Sequence, residues 1–177
     1  MQKQVNPHLI GDFATRRLNA VHWSVPLADP TARAALLRAL PGVLTADVTR
    51  DLPPSFSLSG DISDWVDARS RESDVYAISA GGQLIGLLVL FADMDHANHP
   101  AVHLGYLFTK DAWGQGYATE LLTGLIKAAR AIAPVIFKAG VASTNPASAH
   151  LLRKLGFSQI PQEPGAQMLS FALAISG

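Results

Sequence analysis

Residues 102 to 142 spell strand, glycine turn, helix and strand in unbroken succession. Val102 to Thr109 is a short apolar run that reads as a strand, and Trp113-Gly114-Gln115-Gly116 interrupts it. Ala118, Leu121, Leu122, Leu125, Ile126 and Ala129 then recur at i, i+3, i+4, i+7, i+8 and i+11, one face of an amphipathic helix. Pro134 closes that helix, and Val135 to Ala142 is a second strand. A strand–helix–strand unit of this length joins parallel neighbours through a right-handed crossover. The chain is thereby committed to an α/β arrangement.

The flanks complete the outline. The N-terminal third reads as largely irregular. Within it, Asp29-Pro30 starts a helix, Leu36, Leu37 and Leu40 line one face, and Pro41-Gly42 ends it. A second helix begins near Asp61 and turns Ile62, Trp65, Val66 and Arg69 inward, with Pro53-Pro54 in a loop before it. Asp74 to Ala80 and Gln83 to Phe91 are strands joined by the tight turn Gly81-Gly82. A polar loop, Asp93 to Pro100, follows. Asn145, Pro146, Arg153, Lys154 and Gly156 punctuate another helix from cap to stop. Phe157 to Ile160 and Gln167 to Ala174 are closing strands. The expected fold is α/β of the α+β type. It has a mixed, mostly antiparallel central sheet with one parallel pair, flanked by about four helices.

Composition narrows the function. The chain has 177 residues, enough for one domain with a real core and short for two. Lys+Arg and Asp+Glu are both 14, so the basic excess of a nucleic-acid binder is missing. No apolar run approaches the roughly 18 residues of a membrane span. Met1-Gln2-Lys3-Gln4 lacks the apolar stretch of a signal peptide, and a cytoplasmic protein, monomer or homodimer, is expected. There is no cysteine, which removes disulfides, thiolate metal sites and cysteine nucleophiles. Asp93, Asp95, His96 and His99 share the polar loop and read as a solvated hairpin loop, so no metal is expected.

Gly114 and Gly116 sit where a strand hands over to a helix N-terminus, with its free N–H groups and positive dipole end. Such a loop suits a pyrophosphate. A dinucleotide fingerprint needs a third glycine where Thr119 stands, and no Gly-Lys-Ser/Thr follows a P-loop spacing. Three segments act together instead: Gly105-Tyr106-Leu107-Phe108, then Trp113 to Glu120, then Asn145-Pro146-Ala147-Ser148 with Leu151 to Phe157. Over roughly residues 74 to 160 the chain resembles the GNAT acetyltransferase superfamily, and within it the branch with the ribosomal-protein N-terminal acetyltransferases. Residues 1–73 resemble that branch only through Arg16-Arg17-Leu18.

The resemblance implies one acetyltransferase domain over residues 1–177. Residues 1–73 would shape the acceptor side, 74–160 would form the acetyl-CoA core, and 161–177 would close the sheet. Acetyl-CoA would lie where the strands 102–109 and 135–142 splay apart. Backbone N–H groups of Gln115, Gly116, Tyr117 and Ala118 would take its pyrophosphate, with Trp113, Gly114 and Thr119 completing the cofactor-binding loop. Its pantetheine arm would pair with backbone of Leu107 and Thr109, with Phe108 also at the cofactor, and end near Asn145. Arg153 would approach the 3′-phosphate. Trp113 replaces the family's usual polar residue at the head of the loop, which removes one phosphate contact.

The implied reaction moves an acetyl group to a primary amine, on a small molecule or a peptide N-terminus, by direct attack. At pH 7 a lysine amine is neutral roughly 4 times in 10,000 and an α-amine roughly 14% of the time, so an α-amine needs only a mild base. His103, on the strand beside the cofactor, is the candidate base, since imidazole titrates near neutrality. Ser148 is the candidate proton donor to the departing thiolate. The family often carries a tyrosine four residues later, where this chain has Leu152. Glu120, one turn into the helix, reads as structural. That leucine keeps a second reading open, a catalytically weak acyl-CoA-binding or regulatory module.

Overall fold

A computed structural model of the chain describes residues 8–93 and 101–177. Asp95, His96 and His99 of the polar loop lie outside these residues. The strands are β1 Phe13–Ala14, β2 Asn19–His22, β3 Asp74–Ala80, β4 Gln83–Asp93, β5 Ala101–Phe108, β6 Val135–Ala142, β7 Ser158–Ile160 and β8 Met168–Ile175. The helices are α1 Ser24–Ala28, α2 Pro30–Val43, α3 Ala46–Thr49, α4 Ile62–Glu72, α5 Tyr117–Ala129 and α6 Pro146–Lys154.

The strands form one eight-stranded sheet in the order β1-β2-β3-β4-β5-β6-β8-β7. Every pairing is antiparallel except β5 with β6. The expected mixed sheet with one parallel crossover is present. The β3–β4 turn is tight because Gly81 and Gly82 both adopt positive φ, 56° and 79°, as a two-residue hairpin demands.

Each face of the sheet carries its own core. On one, Leu121, Leu122, Leu125 and Ala129 of α5 and Ala149 and Leu152 of α6 pack on Val102, Leu104, Phe108 and Phe137. On the other, Leu36, Leu40 and Val43 of α2 and Trp65 and Val66 of α4 pack on Val75, Leu87 and Leu107.

Two expectations need correction. The helix begun at Asp29-Pro30 runs through Pro41 to Val43 instead of stopping there. Val43 and Leu44 are buried at 1% and 5% exposure, and that burial holds the last turn closed against the local signal of proline. The N-terminal third is also less irregular than it reads. It contributes β1 and β2, and β2 joins the sheet by pairing Asn19–His22 with Tyr76–Ser79 of β3.

Candidate active site

The parallel pair is the centre of the site. β5 and β6 are laddered only through Ala101, Val102 and His103 against Ile136, Phe137 and Lys138. Beyond His103 the two strands part, while β5 stays paired with β4 and β6 with β8. A V-shaped gap results, with β5 residues 104–108 along one edge and β6 residues 139–142 along the other.

Which backbone groups face the gap follows from the antiparallel ladder. The Thr109 amide donates to the Ile85 carbonyl at 2.8 Å. Residues alternate along a strand, so Thr109, Leu107 and Gly105 direct their backbone polar groups toward β4. Leu104, Tyr106 and Phe108 direct theirs toward the gap. The edge available to an added arm is therefore one residue out of phase with the pairing expected for Leu107 and Thr109.

The glycine loop closes the wide end. Gly114 and Gly116 have φ of 72° and 78°, the left-handed region that glycine enters without strain. Gly116 stands at the N-cap of α5, and no side chain caps that helix. The α2, α4 and α6 termini, by contrast, are capped by Asp29, Asp61 and Asn145. The first amides of α5, on Tyr117, Ala118 and Thr119, are thus left for an anion. Trp113 is half exposed, and its indole N–H donates to the Phe108 carbonyl at 3.0 Å, which ties the loop to the end of β5. With its single donor spent, Trp113 offers no polar group to a phosphate.

The loop is braced from the N-terminal segment. The Glu120 carboxylate accepts from Thr15 Oγ1 at 2.6 Å, from the Arg17 amide at 2.7 Å and from Arg17 Nε at 2.6 Å. Arg17 Nη1 donates to the Gln115 carbonyl at 3.0 Å, and its guanidinium lies 4.4 Å over the Tyr117 ring. The Thr15 hydroxyl foremost, with the Arg17 bonds, outweighs burial and pulls the Glu120 carboxyl down to about 2. Gly124 lets this segment lie on α5, because a Cβ there would stand 2.7 Å from Thr15 Cγ2. In the sequence Arg16-Arg17-Leu18 carries only a resemblance, and it is the fold that joins Arg17 to Glu120.

At the α6 end, Asn145 Oδ1 accepts from the Ser148 amide at 3.2 Å, the capping bond its position predicts. The Tyr106 hydroxyl donates to Ser148 Oγ at 3.2 Å, bridging β5 to α6 across the gap. Burial raises the Tyr106 phenol above its usual range against the opposing pull of Ser148, so it stays protonated and donates. Leu152 is fully buried and belongs to the core. The phenol beside Ser148 thus comes from a strand, not from the next turn of α6.

His103 and Ser148 are not brought together. His103 is half exposed on the α2/α4 face of β5, its Nε2 3.6 Å from Asp93 Oδ2. Tyr106 and Ser148 belong to the α5/α6 face. Arg153 Nη2 donates to Gln159 Oε1 at 2.6 Å and its guanidinium stacks 5.4 Å over Phe171, so it is engaged with β7 and β8. Thr144 Oγ1 contacts Asp51 Oδ1 at 3.4 Å, linking the β6–α6 turn to the segment after α3.

A model of the Acetyltransferase (GNAT) domain matches residues 19–158. The chain belongs to the GNAT acetyltransferase family. That membership carries with it the enzyme class and the acetyl-CoA co-substrate expected from the sequence. No curated protein matches the chain. Among solved structures, it is similar to a ribosomal-protein-alanine N-acetyltransferase from Brucella melitensis, at 24% identity and TM-score 0.62 over 80% of this chain and 95% of that one. It is also similar to a Salmonella typhimurium acetyltransferase that modifies the N-terminal serine of 50S ribosomal protein L7/L12. That match has 16% identity and TM-score 0.67 over 92% and 97%. A third, yncA from Salmonella typhimurium with its cofactor acetyl-CoA, shares 20% identity and TM-score 0.61 over 90% and 94%. These likenesses show the GNAT fold.

Proposed function

We infer that this acetyltransferase acetylates a primary amine, with an α-amine such as a peptide N-terminus as its preferred acceptor, by direct attack on acetyl-CoA. One observation carries the reading: the Tyr106–Ser148 hydrogen bond that spans the open gap. Because Ser148 Oγ accepts from Tyr106, its own O–H is free to point elsewhere, toward a thiolate leaving along the gap. The amine nitrogen bonds to the carbonyl carbon, the C–S bond breaks, and the sulfur takes the Ser148 proton. The gap-facing amide of Tyr106 meets the developing charge on the carbonyl oxygen. The uncapped amides of α5 take the pyrophosphate. His103, on the opposite face, takes the proton of the incoming amine through water, which suits an acceptor that is already partly neutral. A chain without cysteine has no acetyl-cysteine carrier, which favours the ternary route.

The test is thiol release from acetyl-CoA with a panel of N-terminal peptides, lysine-only peptides and small amines. Peptide α-amines should turn over fastest. Preference for a lysine side chain or a polyamine overturns the acceptor assignment. Binding of acetyl-CoA with no turnover on any acceptor favours the regulatory module.

A further inference from the structure

His8, His22 and Asp74 come from three separate segments and converge in a cleft far from the glycine loop, with Trp23, Ser24 and Phe91 on its walls. His22 Nε2 lies 3.3 Å from Asp74 Oδ1, and His8 Nδ1 lies 3.8 Å from the same oxygen. His22 is buried at 7% exposure, and its Nε2 makes no hydrogen bond. Its other nitrogen, Nδ1, is 2.8 Å from Ser24 Oγ and 3.3 Å from the Ser24 amide. The Ser24 amide can only donate, so Nδ1 is an acceptor here and the ring proton sits on Nε2. Nε2 points at the Asp74 carboxylate 3.3 Å away without completing a hydrogen bond, a contact in which a cation can replace the proton.

We propose that His8, His22 and Asp74 form a binding site for a divalent transition cation of the Zn²⁺ class, separate from the acetyl-transfer site. Two imidazoles and one carboxylate are a borderline donor set, suited to zinc and unlike the all-oxygen sets of calcium and magnesium. Bonds of 2.0–2.1 Å in a tetrahedron set ligand atoms about 3.3–3.4 Å apart, and the His22–Asp74 pair is already there at 3.3 Å. All three ligand atoms lie within 4.8 Å of one another. The His8 ring, now stacked on His22 with centroids 3.4 Å apart, turns out of the stack to complete the set, and its 31% exposed side chain has room to do so. Water fills the fourth position. When the cation takes Nε2 the ring proton moves to Nδ1, where the Ser24 hydroxyl 2.8 Å away accepts it. The cation would fasten the segment at His8 to the start of β3, just ahead of the Thr15–Arg17 brace.

The test uses dialysed, tag-free full chain titrated with Zn²⁺ alone by calorimetry, with Co²⁺ absorption as a second readout. One equivalent should bind, and His8→Ala and Asp74→Asn should each abolish it. Ser24→Ala should weaken it about 10–100-fold. His103→Ala should leave it intact. At about one hundred times Kd, Zn²⁺ should raise Tm by about 5–10 °C. The His8 side chain is 31% exposed and lies outside the sheet, so its variant folds even where Asp74→Asn does not. No binding, binding that survives His8→Ala in folded protein, or binding lost with His103→Ala overturns the assignment.

Discussion

Replacing Glu120 by glutamine keeps the shape of the side chain and removes its charge. The amide oxygen can still accept from Thr15 and the Arg17 amide, but the amide nitrogen now confronts Arg17 Nε, donor against donor. One charge-assisted bond is lost and two others become neutral, a cost of about 2 kcal/mol for a partly solvated group. The depressed Glu120 carboxyl points the same way. A carboxyl drawn down to about 2 gains at most roughly 3 kcal/mol, and solvent screening trims that to about 2. For a chain of this length the loss should lower Tm by about 4–8 °C. The sign of the pH dependence is fixed. A carboxyl with a depressed folded pKa contributes fully above its unfolded value, near 4.5, and loses that contribution as pH falls toward about 2. Urea unfolding of both proteins should give a constant difference from pH 8 to 5 that shrinks below about 4.5. A difference under about 0.5 kcal/mol at pH 7, or one unchanged between pH 5 and 3, would refute the brace. Because Arg17 also holds Gln115, acetyl-CoA affinity should drop several-fold while turnover at saturation stays unaltered.

Gly116→Asp forces a side chain into a left-handed residue and adds a negative charge beside the α5 amides, so acetyl-CoA should bind at least about tenfold more weakly by calorimetry. Unchanged affinity in folded protein removes the loop from the phosphate site. Tyr106→Phe should reduce kcat about tenfold with little change in KM, Ser148→Ala should reduce it further, and the double variant should be no worse than Ser148→Ala. Independent, additive losses would show that the two hydroxyls do not act as a unit. Gly124→Ala should destabilise by about 1–2 kcal/mol in denaturant despite its better helix propensity, since Thr15 Cγ2 occupies the space. A stabilised variant would mean that the N-terminal segment does not lie on α5.

The parts of this fold legible in the sequence are those encoded locally. Two glycines specify the β3–β4 turn, a helical stripe marks the buried face of α5, and Asn145-Pro146 with Gly156 bounds α6. β2 is only four residues long and takes its meaning from β3, more than fifty residues away, so no local period could reveal it. At Pro41 the local rule failed because the burial of Val43 and Leu44 outweighs a proline in the last turn. Period-two alternation places Tyr106 and Phe108 on one face, the one that carries α5 and α6. It could not say which edge each backbone group uses, because that depends on Thr109 bonding to Ile85. Ser148 was recognisable as a candidate from the residues around it, whereas its partner Tyr106 stands 42 positions earlier and meets it only across the gap.

The placement of β8 between β6 and β7 bears on the order in which this enzyme is made. β6 supplies one wall of the gap, yet past Lys138 its ladder hydrogen bonds run to β8. A ribosome must therefore translate through Ile175 before that wall can be held in place, long after the glycine loop and α5 have emerged. The anion loop can exist early, but the cleft that gives it a co-substrate is assembled only when synthesis has passed β8.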